Sequence, residues 1–314
     1  MKLVIYPAIS EDALVTVQSV SPDLTVVQAD TEEDTAAVIS DADCFYGTIN
    51  PRLLSAATKL QWIQTPVAGL ENYMFHELME HPVTLTNMRG IYSDFIADYV
   101  LGFVLSFARG FHRYRWHQQE RFWSEPLDAI HLSESTLGVI GLGSIGHEIA
   151  VRSKAFGMHV IAIDARRTET TEFVDDLRST TELDWLLAES DFVVIAAPQT
   201  PQTEKMMQSS QFKTMKPTAF LINIGRGAIV DLTDLVDALT TKEIAGAGLD
   251  VFEQEPLPPE HPLWDMENVI ITPHVAGLLL HIYEPRRLQV LVDNLRRFVK
   301  GNALANVVDK TQWF

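Results

Sequence analysis

Short apolar runs recur through the first ninety positions, at residues 3–6, 24–28, 44–46, 60–64 and 83–86, each bounded by polar or turn-forming residues. Segments with helical spacing of apolar positions lie between them. Short apolar runs of this kind predict strands, and their alternation with helical segments predicts βαβ units in a parallel sheet. One long helical pattern over about 93–123 follows. A second series of runs, at 137–140, 158–164, 192–196, 219–224, 245–249 and 269–271, predicts a second doubly wound sheet. The last helix, over 285–300, carries Leu288, Leu291, Leu295, Phe298 and Val299 at helical spacing, and Gly301 is placed to stop it. Residues 302–314 are too short for a domain and are expected to return to the first block. The predicted fold class is α/β with two doubly wound parallel-sheet domains: residues 96–283 are inserted between 1–95 and 284–314, and the two crossings form a hinge.

Composition narrows this picture. A chain of 314 residues with 46% hydrophobic content can bury two cores. No run approaches the roughly 20 apolar residues of a membrane span, and Met1 to Pro7 reads as a first strand rather than a signal segment. The lone cysteine, Cys44, can form no internal disulfide, which fits a reducing cytoplasm. A net charge of −18 argues against a nucleic-acid partner. The one basic cluster, 109–121, is interleaved with Phe111, Tyr114, Trp116, Phe122 and Trp123. It is read as a subunit-interface helix, hence a homodimer, over an RNA platform.

Candidate chemistry starts at residues 136–146. The apolar strand runs into Gly141, Gly143 and Gly146, and a helix opens within the turn and ends before Gly157. Gly141 permits a tight turn, Gly143 lets backbone approach a pyrophosphate, and Gly146 lets helix and strand pack closely. Asp164, at the end of the next strand, stands where a carboxylate accepts from the adenosine ribose and repels a 2′-phosphate, favouring NAD. Arg166 and Arg167 follow at once. They would either hold that phosphate, making NADP possible, or sit in a solvated loop.

Three further segments, 223–231, 248–257 and 272–277, each follow a predicted strand. Arg226, Glu255 and His274 would therefore converge at the carboxyl edge of the sheet, where such folds bind ligands. Alone, each has an ordinary reading as a surface turn, a loop charge or a turn histidine. Together and in this order, the Gly-Leu-Gly-Ser-Ile-Gly turn, the block from Asn223 to Asp231, the block from Gly248 to Leu257 and the block from Pro273 to Gly277 resemble the D-isomer-specific 2-hydroxyacid dehydrogenases, over the whole chain. The resemblance implies a Rossmann NAD-binding domain inserted into a flavodoxin-like substrate domain. It also implies that Arg226 binds substrate, Glu255 supports the histidine, His274 is the acid/base, and Asp250 meets the nicotinamide carboxamide. Further cofactor contacts implied are Ser144, Ile145, Ala197, Pro198, Thr203, Asn223, Ile224, Ala276 and Gly277, with His274 itself against the nicotinamide. The chemistry is coherent, because a carbonyl receiving hydride gains charge on oxygen and needs a positioned proton donor.

In the first domain the loop 64–70 resembles the family's carboxylate-receiving loop, with Ala68 and Gly69 as donors. Arg89 offers either a second carboxylate contact or a structural salt bridge, and Asp98 is read as structural. The resemblance makes the loop 46–50 the main determinant of substrate, with Gly47 leaving room for more than glyoxylate. His112, His117, His131, His147, His159, His261 and His281 show no metal-ligand pattern, so no metal is expected. The expected activity is reduction of a small 2-oxo acid such as glyoxylate or hydroxypyruvate. The alternative is an NAD(H)-sensing, corepressor-like binding protein on the same scaffold. Formate dehydrogenases differ by a glutamine where Glu255 stands.

Overall fold

The computed structural model describes residues 1–125 and 129–313. The chain opens with β1 (Lys2–Tyr6), α1 (Glu11–Gln18), β2 (Thr25–Gln28), α2 (Glu32–Val38), β3 (Cys44–Gly47), α3 (Pro51–Ala56), β4 (Trp62–Gln64), α4 (His76–Glu80) and β5 (Thr84–Thr86). It continues through α5 (Ser93–Ala108), α6 (Phe111–Gln119), β6 (Thr136–Ile140), α7 (Ser144–Ala155), β7 (His159–Asp164), β8 (Asp176–Ser179), α8 (Leu183–Glu189) and β9 (Phe192–Ile195). It closes with α9 (Ser209–Thr214), β10 (Phe220–Asn223), α10 (Leu232–Thr240), β11 (Gly246–Leu249), β12 (Val269–Ile271) and α11 (Leu280–Val299).

Two compact units result: Met1–Ile91 with Leu279–Phe314, and the continuous stretch Tyr92–Leu278 inserted between those segments. The first carries a parallel sheet in the order β2-β1-β3-β4-β5. Its central strands are buried on both faces, with Val4, Phe45 and Ile63 at 0% exposure, because helices cover both sides. Thr86 donates to Gln64 Oε1 at 2.8 Å, and Asn294 of α11 donates to the same oxygen at 2.9 Å. Beyond α11 the chain returns alongside β5, where Val308 N donates to Leu85 O.

The second unit carries seven parallel strands in the order β12-β11-β10-β9-β6-β7-β8, a Rossmann sheet. The core strands β6, β9, β10 and β11 are buried almost throughout. α5 packs along α7, and Asp98 accepts from Arg152 across that contact, a structural ion pair.

Three elements differ from the sequence reading. The helix expected over 93–123 is two helices, because Gly110 takes a left-handed φ of +69° and ends the α5 run. β8 was not expected: Asp-Leu-Arg-Ser has no apolar run, as suits an edge strand with one side open. α11 begins before Pro285 rather than at it, and the ring sits inside the helix. Gly157 and Gly301 do take left-handed φ at the ends of their helices.

Candidate active site

β6 and β9 are the neighbours at which strand order reverses in the second unit, the place where such sheets open a ligand crevice. The glycine turn follows β6, and Ala197 and Pro198 follow β9. A Cβ on Gly141 would stand 2.9 Å from Ala197 Cα, and one on Gly146 would stand 2.1 Å from Gly141 O, so both positions require glycine. Gly143 faces open space. Among the described residues no hydrogen bond takes the amides of Gly143, Ser144 or Ile145. These are the unused donors at the positive end of α7.

Asp164 lies beside this turn. Its Oδ2 accepts from Leu142 N at 2.7 Å, and its Oδ1 accepts from Arg166 N and Arg167 N at 2.8 Å each. Three amides thus fix the carboxylate in place.

The arginine turn follows β10. Asn223, 1% exposed, closes it from both sides: its Nδ2 donates to Arg226 O at 3.0 Å and its Oδ1 accepts from Gly225 N at 3.1 Å. Arg226 is half-buried and donates from Nη1 to Gly225 O. A Cβ on Gly227 would fall 1.8 Å from Phe252 C, so this turn sits directly against the loop that carries Glu255.

Asp231, at the end of the same block, caps α10 by accepting from Thr233 N and Asp234 N. The Lys205 ammonium, hydrogen-bonded to it, holds its carboxyl below the usual carboxylate range. Asp231→Ala is expected to cost about 1 kcal/mol in urea denaturation at neutral pH, the scale of a lost N-cap. A depressed native value means that the carboxylate's contribution is full above the unfolded value and is lost as pH falls through the native one. The difference between variant and parent should therefore shrink in acid.

Glu255 and His274 come from the loops after β11 and β12. Glu255 Oε1 accepts from Phe252 N at 3.0 Å, and Oε2 lies 2.7 Å from His274 Nδ1. His274 holds a left-handed φ of +55°, a conformation that costs roughly 1–3 kcal/mol in a non-glycine residue. Asp250 offsets that cost. Its backbone carbonyl accepts from His274 N, while its carboxylate, 2% exposed as a residue, accepts from Thr272 Oγ1 at 2.6 Å, Val275 N at 2.9 Å and Ala276 N at 3.0 Å. No described residue bonds His274 Nε2.

In the first unit, the loop with Ala68 and Gly69 follows β4 and the turn with Arg89 follows β5, both at the carboxyl edge of that sheet. Among the described residues neither the Ala68 nor the Gly69 amide donates a hydrogen bond.

Residues 101–276 match the family model described as D-isomer specific 2-hydroxyacid dehydrogenase, NAD binding domain. The chain belongs to the D-isomer specific 2-hydroxyacid dehydrogenase family. It is 35% identical to a glyoxylate reductase of Korarchaeum cryptofilum over 83% of this chain and 80% of that protein. It is 32% identical to glyoxylate/hydroxypyruvate reductase B of Shigella boydii over 98% and 97%. The solved D-isomer specific 2-hydroxyacid dehydrogenase of Xanthobacter autotrophicus Py2, in complex with NADPH and MES, superposes with a TM-score of 0.88 at 29% identity, covering 100% of this chain and 99% of that one. This chain is accordingly an NAD(P)-dependent hydroxyacid dehydrogenase whose second unit contains the dinucleotide-binding domain.

The residues present fit a dinucleotide, since open space over Gly143 meets three unused amides and a fixed carboxylate. Ala197 is buried and Pro198 exposed at the switch point, while Ile224 and Ala276 are buried. A Cβ on Gly277 would meet only ordinary contacts at 3.8 Å, so space alone does not demand glycine there. Thr203 spends its hydroxyl on its own turn, donating to Pro198 O and accepting from Thr200 N.

The reading of Gly47 needs correction. A Cβ there would stand 1.8 Å from Tyr6 O, so glycine answers to the close approach of β1 and not to pocket room. The fastening of residues 272–276 by Asp250 was also missed. Its signal was an aspartate within a buried stretch, which must find donors.

Proposed function

We propose that this chain transfers a hydride between NAD(H) and a small D-2-hydroxy acid/2-oxo acid pair, with glyoxylate and hydroxypyruvate the first substrates to try. It works in the reducing direction, in the cytoplasm, as a homodimer. One observation carries the reading: the 2.7 Å pair of His274 Nδ1 and Glu255 Oε2, on a loop seated against the Arg226 turn. The printed names of the relatives, glyoxylate and glyoxylate/hydroxypyruvate reductases, support the substrate class.

The amides of Gly143, Ser144 and Ile145 would hold the pyrophosphate, and Asp164 the adenosine ribose. Ala197, Pro198, Thr203, Asn223, Ile224, Asp250, Ala276 and Gly277 would complete the cofactor's surroundings. When bound, the nicotinamide supplies the hydride. Arg226 would grip the substrate with its planar fork. In the first unit, the Ala68 and Gly69 amides and Arg89 are the proposed carboxylate-binding groups. As the carbonyl oxygen gains charge, His274 gives up its Nε2 proton to it. Glu255 keeps the Nδ1 proton in place and so fixes the ring's orientation, as the acid of a triad does. In the oxidising direction the same nitrogen takes the proton back.

The second copy is supported by the surface around α6. None of that helix's residues is buried, and Phe111, Phe122 and Trp123 are 58%, 61% and 98% exposed. An apolar surface of this kind marks an association site.

The test is NADH oxidation against a panel of 2-oxo acids. Turnover is expected with glyoxylate or hydroxypyruvate, with kcat/KM roughly 10²-fold higher for NADH than for NADPH, because a carboxylate facing a 2′-phosphate is a costly like-charge contact. An NADPH preference would mean that the Arg166 and Arg167 guanidinium groups outweigh Asp164. No turnover of any 2-oxo acid with either cofactor would refute the proposal.

A further inference from the structure

The geometry points to Asn87 as the residue that aims the Gly69 amide, one of the two carboxylate-receiving donors of the first unit, while Met88 N and Thr65 Oγ1 fix the other through Val67 O. This rests on the reading of Ala68 and Gly69 as those donors. Val67 O accepts from Met88 N at 3.0 Å and from Thr65 Oγ1 at 2.9 Å. Ala68 O accepts from Asn87 Nδ2 at 2.9 Å. Two successive carbonyls are therefore drawn toward the segment 86–88. Both following peptides are trans. In a trans peptide the N–H points opposite to the C=O of the same plane. Drawing the carbonyls of Val67 and Ala68 one way turns the amides of Ala68 and Gly69 the other way, and neither of these amides donates to a described residue. Successive N–H groups facing one direction are the element from which concave anion sites are built.

Asn87 is itself anchored. It is 5% exposed, its Oδ1 accepts from Arg89 N at 3.2 Å, and its backbone N donates to Asn306 O at 3.2 Å. Asn306 Nδ2 donates in turn to Arg89 O at 2.9 Å. The Asn87 backbone is thus held by the returning C-terminal segment and its side-chain oxygen by Arg89 N, which leaves Nδ2 to grip Ala68 O. An amide is required there. A carboxylate in its place would still accept from Arg89 N but would set oxygen against oxygen at Ala68, repelling the carbonyl it should hold.

The test pairs kinetics with amide resonances of the full chain, saturated with NADH and titrated with oxamate, a stable 2-oxo-acid mimic. In the parent, the Ala68 and Gly69 signals should move on oxamate binding. Asn87→Ala and the isosteric Asn87→Asp should each raise KM for glyoxylate and weaken oxamate about tenfold, the scale of one hydrogen bond to a charged group. Both should leave kcat and the NADH dissociation constant near parental values, and both should mute the Gly69 shift, the amide whose plane Asn87 holds. A variant that is only less stable, with oxamate affinity and amide shifts retained, overturns the assignment of Asn87 while the donor reading stands. Parental Ala68 and Gly69 signals that ignore oxamate overturn the donor reading, and the role of Asn87 with it.

Discussion

Replacing His274 by alanine will lower kcat for 2-oxo-acid reduction by about 10³-fold, the scale of a lost general acid, while NADH binding stays close to parental. The imidazole is half-exposed, with 47% of the side chain accessible, so truncation opens no core cavity and the melting temperature should hold. The segment 272–276 is fastened by Asp250 through the Thr272 hydroxyl and through the amides of Val275 and Ala276, none of which involves the His274 ring. The loss should therefore be chemical rather than structural, and added imidazole should restore part of the rate. Glu255→Gln should cost less than His274→Ala, because the ring that carries the proton remains and only its orienting partner is weakened. Full activity in His274→Ala would remove the acid from the mechanism.

Arg226→Ala is expected to lower kcat/KM for a 2-oxo acid by about 10³-fold, as two charge-assisted hydrogen bonds to the substrate are lost. The turn that carries the arginine is closed by Asn223 and packed through Gly227, so it survives the truncation. Arg226→Lys should recover little, since an ammonium is a point charge and cannot span carboxylate and carbonyl oxygen together. Steady-state kinetics across glyoxylate and hydroxypyruvate check both variants. If Arg226→Lys were equal to the parent, charge alone would suffice and the forked contact would be wrong.

Both sheets were legible because their central strands, such as Phe192–Ile195 and Phe220–Asn223, are buried on both faces and leave continuous apolar runs. Edge strand β8 left no such trace, since a strand with an open side carries polar residues. The break at Gly110 was hidden because a single glycine inside a helical pattern signals a stop only when the backbone takes positive φ. The motif residues were readable from their order. The Glu255–His274 distance was not, because it depends on how the loops after β11 and β12 fold back on each other. Gly47 shows the same limit in reverse: a glycine that looked like pocket room is explained by a neighbouring strand's carbonyl. The aim of the Ala68 and Gly69 amides was equally invisible, since backbone direction is set by partners about twenty residues away.

The most direct test of the central claim is the fate of the label when the chain is incubated with NADH deuterated at the transferable C4 position and hydroxypyruvate. The account predicts deuterium at C2 of the product and the D configuration there. Product carrying no label at C2, or carrying it in the L configuration, would contradict it.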